Sequence, residues 1–483
     1  MNRMMVCAIV VLAQAASASA PRSETQVSSG QQLPADSEIH RIISERIKGF
    51  ENRVSITVGV IGPQGRRIVS YGSLGTNNSR PATGDTLYEI GSITKVFTSL
   101  LLADMVEHRE VALDEPVATY LPRDVNVPTR GGKQITLADL ATHRSGLPRM
   151  PSNFTAADPM NPYVDYPVQR LYQFLSSYQL QHDVDSEFEY SNLGPGLLGH
   201  ALARRAGTSY ETLLRQRVLD PLKMSSTGIA LSPTLKSRLS QPHSSAFLLA
   251  STPLWDFTDA FAGAGALRSS ADDMLTFLAA TLGYTRTPLS GAMARMLAVR
   301  RDATDAFKMG LGWRVEQQAG TEIVWTGGAT YGSRTFAGYD PKSRVGVVVL
   351  SNYNSGSGID DIGRHVLNAR TPLDNGAGVK PRTRTVSKVP ARLRDAYAGR
   401  YRFSDKQIWS VRRDGDRYFV ERPGAAELEI FPEGDFEKGT DDFFLDSMDA
   451  LLTFDFENSS ASRANRLTFS WAFLDPQHAE RIE

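Results

Sequence analysis

Apolar and polar residues alternate in two parts of the chain, and this alternation predicts β-strands in both. The first part contains "VSITVGVIG" and "RIVSYG", which a Pro-Gln-Gly turn separates. Between the two parts, apolar residues recur at helical spacing, most clearly from Val96 to Met105. The predicted elements are strands at 54–62, 67–72, 310–317, 333–341 and 343–352, with helices at 96–105, 196–206 and 271–282.

The last part of the chain has a different pattern. Residues 371–389 are rich in Gly, Pro, Thr and Arg, which predicts a linker. Short alternating runs follow, and Asp414-Gly415 between two of them is a strong hairpin signal. Residues 390–483 are therefore expected to form a small antiparallel β-barrel or sandwich of ordinary domain size.

The start of the chain has the pattern of a secretory signal peptide. Arg3 precedes a short apolar run and a series of small residues, with cleavage expected after Ala18 or, as the alternative, after Ala20. A membrane anchor would need a longer apolar run. We therefore expect residues 1–18 to be removed and residues 19–36 to be a flexible lead-in. The mature protein is expected to be periplasmic or secreted, without a stable membrane anchor.

Charge and residue content exclude several classes of function. The 483 residues include 53 Lys or Arg and 53 Asp or Glu, without the basic stripe that nucleic-acid binding requires. The only cysteine, Cys7, lies in the predicted signal peptide, so no thiol is expected in the mature chain. The sequence has no His-x-x-x-His, no Walker loop and no Gly-x-Ser-x-Gly turn. We therefore expect neither a metal site nor a nucleic-acid partner.

Ser92 stands three residues before Lys95 at the start of the apolar helix, in the only Ser-x-x-Lys of the chain. Residues three apart share a helix face, so the lysine can reach the serine hydroxyl. Lys95 would activate Ser92 as a neutral amine or as a cation that keeps another base ionised. The alternative is a helix cap with a solvated lysine. The neighbours Val96 and Phe97 favour the catalytic pair, because a lysine in an apolar helix needs a partner.

A second candidate sequence, Tyr190-Ser191-Asn192, is the only Tyr-x-Asn in the chain. A tyrosine can act as a base when a nearby cation lowers its pKa, and Lys95 would be that cation. The amide of Asn192 could bind both Lys95 and a substrate carbonyl. The alternative is a turn with a packed tyrosine.

A third candidate is the run Trp325-Thr326-Gly327-Gly328, inside "IVWTGGATYG". Glycines in a strand allow a ligand to lie against the backbone. Gly328 is the expected N–H donor to an oxyanion, together with the N–H of Ser92. A plain glycine hairpin is the alternative.

Together these three motifs resemble those of the penicillin-recognising serine hydrolases, specifically the class C β-lactamase-like family. That family uses Ser-x-x-Lys, Tyr-x-Asn and a Lys-Thr-Gly-type strand. Further similarity lies in "LATHRSGLP" (140–148), "PLKMSSTG" (221–228) and "YDPKSRVGVVVLSN" (339–352). Residues 37–370 are identified as the hydrolase domain, and residues 390–483 resemble the lipocalin-like β-domain of many such enzymes.

The resemblance implies an α/β fold in which helices flank an antiparallel sheet and a helical subdomain is inserted. A small antiparallel β-barrel would follow at the C-terminus. The resemblance also implies acylation of Ser92 with Lys95 as its partner. Tyr190 would be the general base, and Asn192 would orient the substrate. It implies no metal and no organic cofactor.

One position departs from the family pattern. Trp325 stands at the head of the third motif, where the family has a Lys or His that would meet a substrate carboxylate. Trp325 offers an apolar wall and an indole N–H instead. The departure favours small ester or amide substrates, D-amino-acid peptides included, over β-lactams. The alternatives are a β-lactamase or DD-carboxypeptidase and, from another class, a non-catalytic protein that binds cell-wall fragments.

Overall fold

A computed structural model describes most of the chain after residue 32. The described residues are 33–158, 160–244, 251–318, 320–354, 359–374, 385–403, 407–421, 427–436, 440–445, 450–458, 460–471 and 474–483. The predicted signal peptide lies outside the described residues, as do the lead-in up to residue 32 and residues 375–384 of the predicted linker. The first helix begins at Asp36, which the sequence had assigned to the lead-in.

Nine of the described strands form one antiparallel sheet, in the order β3-β2-β1-β12-β11-β10-β9-β8-β7. Two pairs, β4 with β6 and β5 with β13, stand apart from it. The strands are β1 (Ser55–Gly62), β2 (Gly65–Gly75), β3 (Asn78–Pro81), β4 (Leu87–Glu89), β5 (His243–Ser244), β6 (Arg268–Ser270), β7 (Arg301–Thr304), β8 (Phe307–Met309), β9 (Arg314–Gln318), β10 (Thr321–Ala329), β11 (Arg334–Asp340), β12 (Val345–Ser351) and β13 (Tyr353–Asn354).

The strand predicted over 310–317 is wrong at its start, because β9 begins only at Arg314. Gly310 donates its N–H to the carbonyl of Trp313, and Gly312 has a φ of 74°. This left-handed conformation is open to glycine and bends the chain, so alternation in "GLGW" does not produce a strand. The turn brings Gly312 against the helix that carries Lys95: a Cβ on Gly312 would lie 3.0 Å from the Lys95 carbonyl oxygen.

Helices cover both faces of the sheet and form the part of the chain inserted between its strands. Across the described residues, no helix combines the length and the apolar character that crossing a membrane requires. The helices are α1 (Asp36–Arg46), α2 (Thr94–Glu107), α3 (Leu137–Ala141), α4 (Val168–Ser177), α5 (Leu193–Ala206), α6 (Tyr210–Leu214), α7 (Asp220–Leu222), α8 (Pro233–Lys236), α9 (Ala262–Gly265), α10 (Ala271–Thr281), α11 (Ser290–Ala298) and α12 (Asp360–Leu367).

The sheet has a separate apolar core on each face. On one face α1 and α12 contribute Ile39 and Ile362, which are buried with Phe336 of β11. On the other face α10 packs against β1 and β12, and a Cβ on Gly59 would lie 2.9 Å from the Leu275 side chain. The helix α2 is buried on almost all sides from Thr94 to Met105, its polar residues included. The predicted α/β fold is confirmed.

The C-terminal part forms a closed antiparallel barrel of eight described strands. Of the two predicted forms, barrel and sandwich, the barrel is therefore correct. Buried aromatic rings contact one another in it, among them Tyr401, Phe443 and Phe454. Its strands are β14 (Gly399–Phe403), β15 (Ile408–Asp414), β16 (Arg417–Glu421), β17 (Leu428–Glu433), β18 (Thr440–Leu445), β19 (Ala450–Asp455), β20 (Arg466–Trp471) and β21 (Leu474–Arg481).

Candidate active site

Ser92 lies in a short 3-10 turn, Gly91–Ile93, directly before α2. The turn directs its hydroxyl to the ammonium of Lys95, one helical turn away, and the Ser92 Oγ to Lys95 Nζ distance is 2.9 Å. The hydroxyls of Ser92 and Tyr190 are 2.8 Å apart, although 98 residues separate them in sequence. The structure therefore brings all three predicted residues together, and the alternative of a solvated lysine is wrong because Lys95 is buried.

Lys95 donates to three acceptors. These are the hydroxyl of Ser92 at 2.9 Å, Oδ1 of Asn192 at 2.9 Å and the carbonyl oxygen of Ala264 at 2.8 Å. A neutral amine has only two N–H groups, whereas an ammonium has three. Of the two roles left open by the sequence, this geometry favours the cation.

Lys95 and Tyr190 each shift the pKa of the other. Burial lowers the pKa of Lys95, while the nearby Tyr190 opposes this shift. Burial alone would raise the pKa of the Tyr190 phenol, but the charge of Lys95 and the hydrogen bonds with Ser92 and Lys95 outweigh it. The pKa of Tyr190 is therefore below its ordinary value, which makes the phenol a better source of tyrosinate.

Asn192 connects Lys95 to a residue that the sequence did not indicate. Its Oδ1 accepts from Lys95, and its Nδ2 donates to the Tyr163 hydroxyl at 3.1 Å. Burial raises the pKa of Tyr163 to about 12, so this phenol stays protonated. The two contacts fix which side of the amide faces Lys95. Tyr163 lies in a loop without a recognisable motif, so only the fold reveals it.

His143, from the stretch "LATHRSGLP", packs against the general-base candidate. Its ring centroid is 4.6 Å from that of Tyr190, and its Nδ1 accepts the Ser191 N–H at 3.2 Å. Burial, assisted by the positive charge of Lys95, holds the pKa of His143 well below its ordinary value. The imidazole is therefore neutral and supports the ring of Tyr190 from one side.

The third motif forms the end of β10 and lies beside Ser92. β9 begins at Arg314, opposite Trp325, so β10 extends past its neighbour on that side. A Cβ on Gly91 would lie 2.8 Å from the Ala329 nitrogen, which shows how closely β10 approaches the serine turn. Trp325, Gly327 and Gly328 line the pocket above Ser92, whereas Thr326 is buried and is not among the lining residues.

The expected oxyanion donor, Gly328, is contradicted by the register of the hairpin. The Thr330 N–H bonds to the Ser333 carbonyl, and Gly328 lies opposite Thr335. Hydrogen-bonded pairs alternate in antiparallel strands, so the N–H of Gly328 is directed to β11. The N–H of Ala329 has the opposite direction, toward the overhanging edge and Ser92. Ala329 therefore replaces Gly328 as the candidate donor.

Gly328 is needed for a different reason, which gives a testable prediction. A Cβ at this position would overlap the carbonyl oxygen of Ile90, next to the serine turn. We expect Gly328→Ala to push β10 away from Ser92 and to lower kcat/KM roughly tenfold to a hundredfold, because small displacements of reacting groups are costly. Gly62→Ala is the matched control, since its Cβ would meet nothing closer than 3.5 Å. Wild-type turnover in Gly328→Ala would show that this contact does not position the site.

The indole of Trp325 does not offer its N–H to the pocket as the sequence predicted. Trp325 Nε1–H donates to Glu316 at 2.7 Å. Two guanidinium groups lie near the ring, with Arg314 Cζ 4.8 Å and Arg364 Cζ 4.1 Å from its centroid. It also stacks on Phe336. Trp325 is therefore a platform for cations, held in place by the sheet.

The pocket above Ser92 has a volume of about 370 Å³, and its lining includes aromatic and cationic side chains. The aromatic rings of Tyr163 and Phe257 stack with their centroids 4.6 Å apart. The pocket lining also includes three guanidinium groups, those of Arg149, Arg314 and Arg334. The pocket therefore contains cations on other residues, although its third motif begins with tryptophan. Within the residues described, no cluster of His, Cys, Asp and Glu could hold a metal ion.

Comparisons with known proteins agree with this architecture. The chain is 30% identical over 306 residues to the D-alanyl-D-alanine-carboxypeptidase/endopeptidase AmpH of Escherichia coli (strain K12), which covers 60% of this chain and 77% of that protein. A class C β-lactamase from Rhodobacter sphaeroides superposes with a TM-score of 0.59 at 25% identity, over 69% of this chain and 99% of that chain.

A third relative has the same fold at lower identity. The octameric penicillin-binding protein homologue from Pyrococcus abyssi superposes with a TM-score of 0.61 at 20% identity, over 92% of this chain and 99% of that chain. A family model described as Beta-lactamase matches residues 43–369, well over half of the chain. The chain belongs to the Beta-lactamase family of serine hydrolases.

Proposed function

We propose that this protein hydrolyses ester or amide bonds of small molecules, D-amino-acid peptides included, through an acyl-enzyme on Ser92. The observation that carries the proposal is the contact geometry at one hydroxyl. Ser92 Oγ is 2.9 Å from a buried lysine that donates to three acceptors, and 2.8 Å from a phenol whose pKa is lowered. A protein that only binds cell-wall fragments has no use for this arrangement.

In the acylation step, Tyr190 as tyrosinate takes the proton of Ser92 while the Ser92 oxygen attacks the substrate carbonyl. The ammonium of Lys95 stabilises the tyrosinate before the transfer. The developing oxyanion accepts hydrogen bonds from the N–H groups of Ser92 and Ala329. Tyr190 then gives its proton to the departing alcohol or amine, and the acyl group remains on Ser92.

In the deacylation step, a water molecule attacks the acyl carbon and Tyr190 accepts its proton. The bond between the acyl carbon and Ser92 breaks, and the proton returns to the serine oxygen. Asn192 keeps its place through Lys95 and Tyr163, so its amide can orient the substrate in both steps. Each proton thus passes through Tyr190, which delivers it to the leaving group in the first step and to the Ser92 oxygen in the second.

A second class of substrate is compatible with the same site. The guanidinium groups in the pocket remove the basis for preferring neutral esters over substrates with a carboxylate. The relative from Escherichia coli is named a D-alanyl-D-alanine-carboxypeptidase/endopeptidase. A β-lactamase or DD-carboxypeptidase activity is therefore the second candidate for the same site.

The proposed domain boundaries and the proposed export rest on the sequence pattern. Residues 37–370 would be the hydrolase domain, residues 371–389 the linker and residues 390–483 the lipocalin-like β-domain. Within the predicted linker, Ser387 donates its N–H to the carbonyl of Pro432 in β17. The end of the linker thus contacts the barrel. Export to the periplasm or the medium is proposed on the signal-like residues 1–18.

A substrate panel tests the proposal. It contains short p-nitrophenyl esters, nitrocefin, D-Ala-D-Ala peptides and D-amino-acid amides, each with the Ser92→Ala protein alongside. We expect turnover of the esters or of the D-amino-acid peptides and amides, and its loss in Ser92→Ala. Efficient hydrolysis of nitrocefin would favour the second candidate. Turnover that survives in Ser92→Ala for every substrate would reject the acyl-enzyme.

A further inference from the structure

Arg149 is a second cation at the ring of Tyr190, in addition to Lys95. Its Cζ lies 5.4 Å from the ring centroid, and Lys95 Nζ lies 5.2 Å from it. Arg149 also lines the pocket above Ser92. Its guanidinium keeps a positive charge because this group is not deprotonated in proteins. The phenol thus has two positive charges near its ring, and the proposed acylation step uses only that of Lys95.

The backbone fixes Arg149 to the segment that carries Tyr190. The Arg149 carbonyl oxygen accepts the N–H of Asn192 at 3.0 Å. The carbonyl oxygen of the preceding Pro148 accepts the hydroxyl of Ser191 at 2.8 Å. Neither contact involves the side chain of Arg149. The backbone at this position should therefore keep its place when the guanidinium is replaced.

Among the described residues, the titratable and charged side chains around Tyr190 belong to three parts of the chain. They are Lys95 of α2, then His143, Arg149 and Tyr163 of the loop between α3 and α4, and Arg314 of β9, which lines the same pocket. The lowered pKa of His143 leaves its imidazole neutral, and the raised pKa of Tyr163 keeps its phenol protonated. Burial raises the pKa of Tyr190, whereas the positive charges of Lys95 and Arg149 both lower it.

A cation over an aromatic ring is attracted to the ring, and the attraction increases when the phenol loses its proton and becomes an anion. We propose that Arg149 is a positioning residue for the base, a second cation that stabilises the tyrosinate form of Tyr190 from the side of its ring. This inference rests on the proposed function and adds one group to its acylation step. Arg149 acts through Tyr190 and needs no contact with the substrate.

The pH dependence of kcat/KM in Arg149→Gln tests this role. Loss of the charge should raise the pKa of Tyr190. The acidic limb of the profile, where kcat/KM falls as the pH decreases, should therefore move to higher pH by roughly half a pH unit to one and a half, the range for a cation on an aromatic ring. In alkaline solution the phenol is ionised in both proteins, and kcat/KM should approach the wild-type value. Arg149→Met should shift the limb in the same way, and Arg149→Lys should keep part of its wild-type position.

Arg170→Gln is the matched control. Arg170 Cζ lies at the same distance, 5.4 Å, from the ring of Tyr166, which is not among the residues that line the pocket. Arg170 also donates to the Thr155 hydroxyl in the loop between α3 and α4. The variant removes an arginine–tyrosine contact of the same kind and loosens the same loop, but it leaves the charges at Tyr190 unchanged. Its acidic limb should coincide with that of the wild type.

Three results would overturn the role of Arg149. If the acidic limb of Arg149→Gln or Arg149→Met stays at its wild-type position, the charge does not act on the base. A loss of kcat/KM that is equal at every pH would make Arg149 a structural or substrate-binding residue. An equal shift of the limb in Arg170→Gln would make the loop responsible, and not the charge.

An NMR titration of protein labelled at tyrosine Cζ separates this inference from the proposed function, because it needs no substrate. The resonance of Tyr190 is assigned by its loss in Tyr190→Phe. The midpoint of its titration must lie at higher pH in Arg149→Gln than in the wild type. If the protein turns over no substrate, the proposed function fails, and the titration still decides the role of Arg149. Equal midpoints in the two proteins reject that role.

Discussion

Ser92→Ala is expected to abolish covalent labelling by a fluorophosphonate probe and to lower turnover by several orders of magnitude. The serine oxygen is the atom that forms the acyl-enzyme, and alanine has no group to replace it. The change removes one hydrogen-bond acceptor of Lys95, which keeps its contacts to Asn192 and Ala264. The folded state should therefore survive, and the measurement is labelling and turnover of a protein with a normal melting temperature.

Ser99→Ala is the matched control for this experiment. Ser99 lies on the same helix as Lys95 and is also buried. It lies close to Gly312 and does not line the pocket. Its alanine variant should label and turn over like the wild-type protein. Labelling of the intact protein at a serine other than Ser92 would contradict the assignment of the nucleophile.

Local sequence patterns predicted several central strands and helices of the fold. The strands over 54–62 and 343–352 alternate or are continuously apolar, and β1 and β12 are found there, paired with each other inside the sheet. The pattern fails at 310–313, where a glycine turn replaces a strand. The alternation of apolar and polar residues indicates only which face of a strand is buried. The turn at 310–313 depends on the positive φ of Gly312 and on its contact with the helix that carries Lys95.

The site residues could be predicted where they belong to short sequence motifs. Ser92, Lys95, Tyr190 and Asn192 meet as expected, because each motif is a fixed spacing on one turn or helix. Ala329 was missed because strand register decides which N–H faces Ser92, and register depends on the partner strand. The contact between Arg314 and Trp325 could not be predicted for the same reason, since the two residues lie on adjacent strands.

Lys95→Ala and Tyr190→Phe are each expected to lower kcat/KM by roughly a hundredfold to ten-thousandfold, the usual contribution of a general base. The double variant should be little worse than either single one, because the two residues act as one unit. Tyr163→Phe is the matched control. It removes another buried phenol of the same pocket, whose pKa of about 12 keeps it protonated and unable to act as the base. It loses only the contact with Asn192, so its effect on kcat/KM should be much smaller than that of Tyr190→Phe.

The pH dependence of kcat/KM distinguishes the role of Tyr190 as the base from that of Lys95 as the cation beside it. Tyr190 must be ionised to accept a proton, so kcat/KM should fall as the pH decreases through its lowered pKa. The charge of Lys95 contributes to that lowering. Lys95→Ala should therefore shift the acidic limb to higher pH and regain part of its activity in alkaline solution. Tyr190→Phe has no phenol to ionise and should not recover at any pH. If Tyr190→Phe keeps near-normal turnover, or if the acidic limb stays in place in Lys95→Ala, the base is another group and the lysine does not hold it ionised.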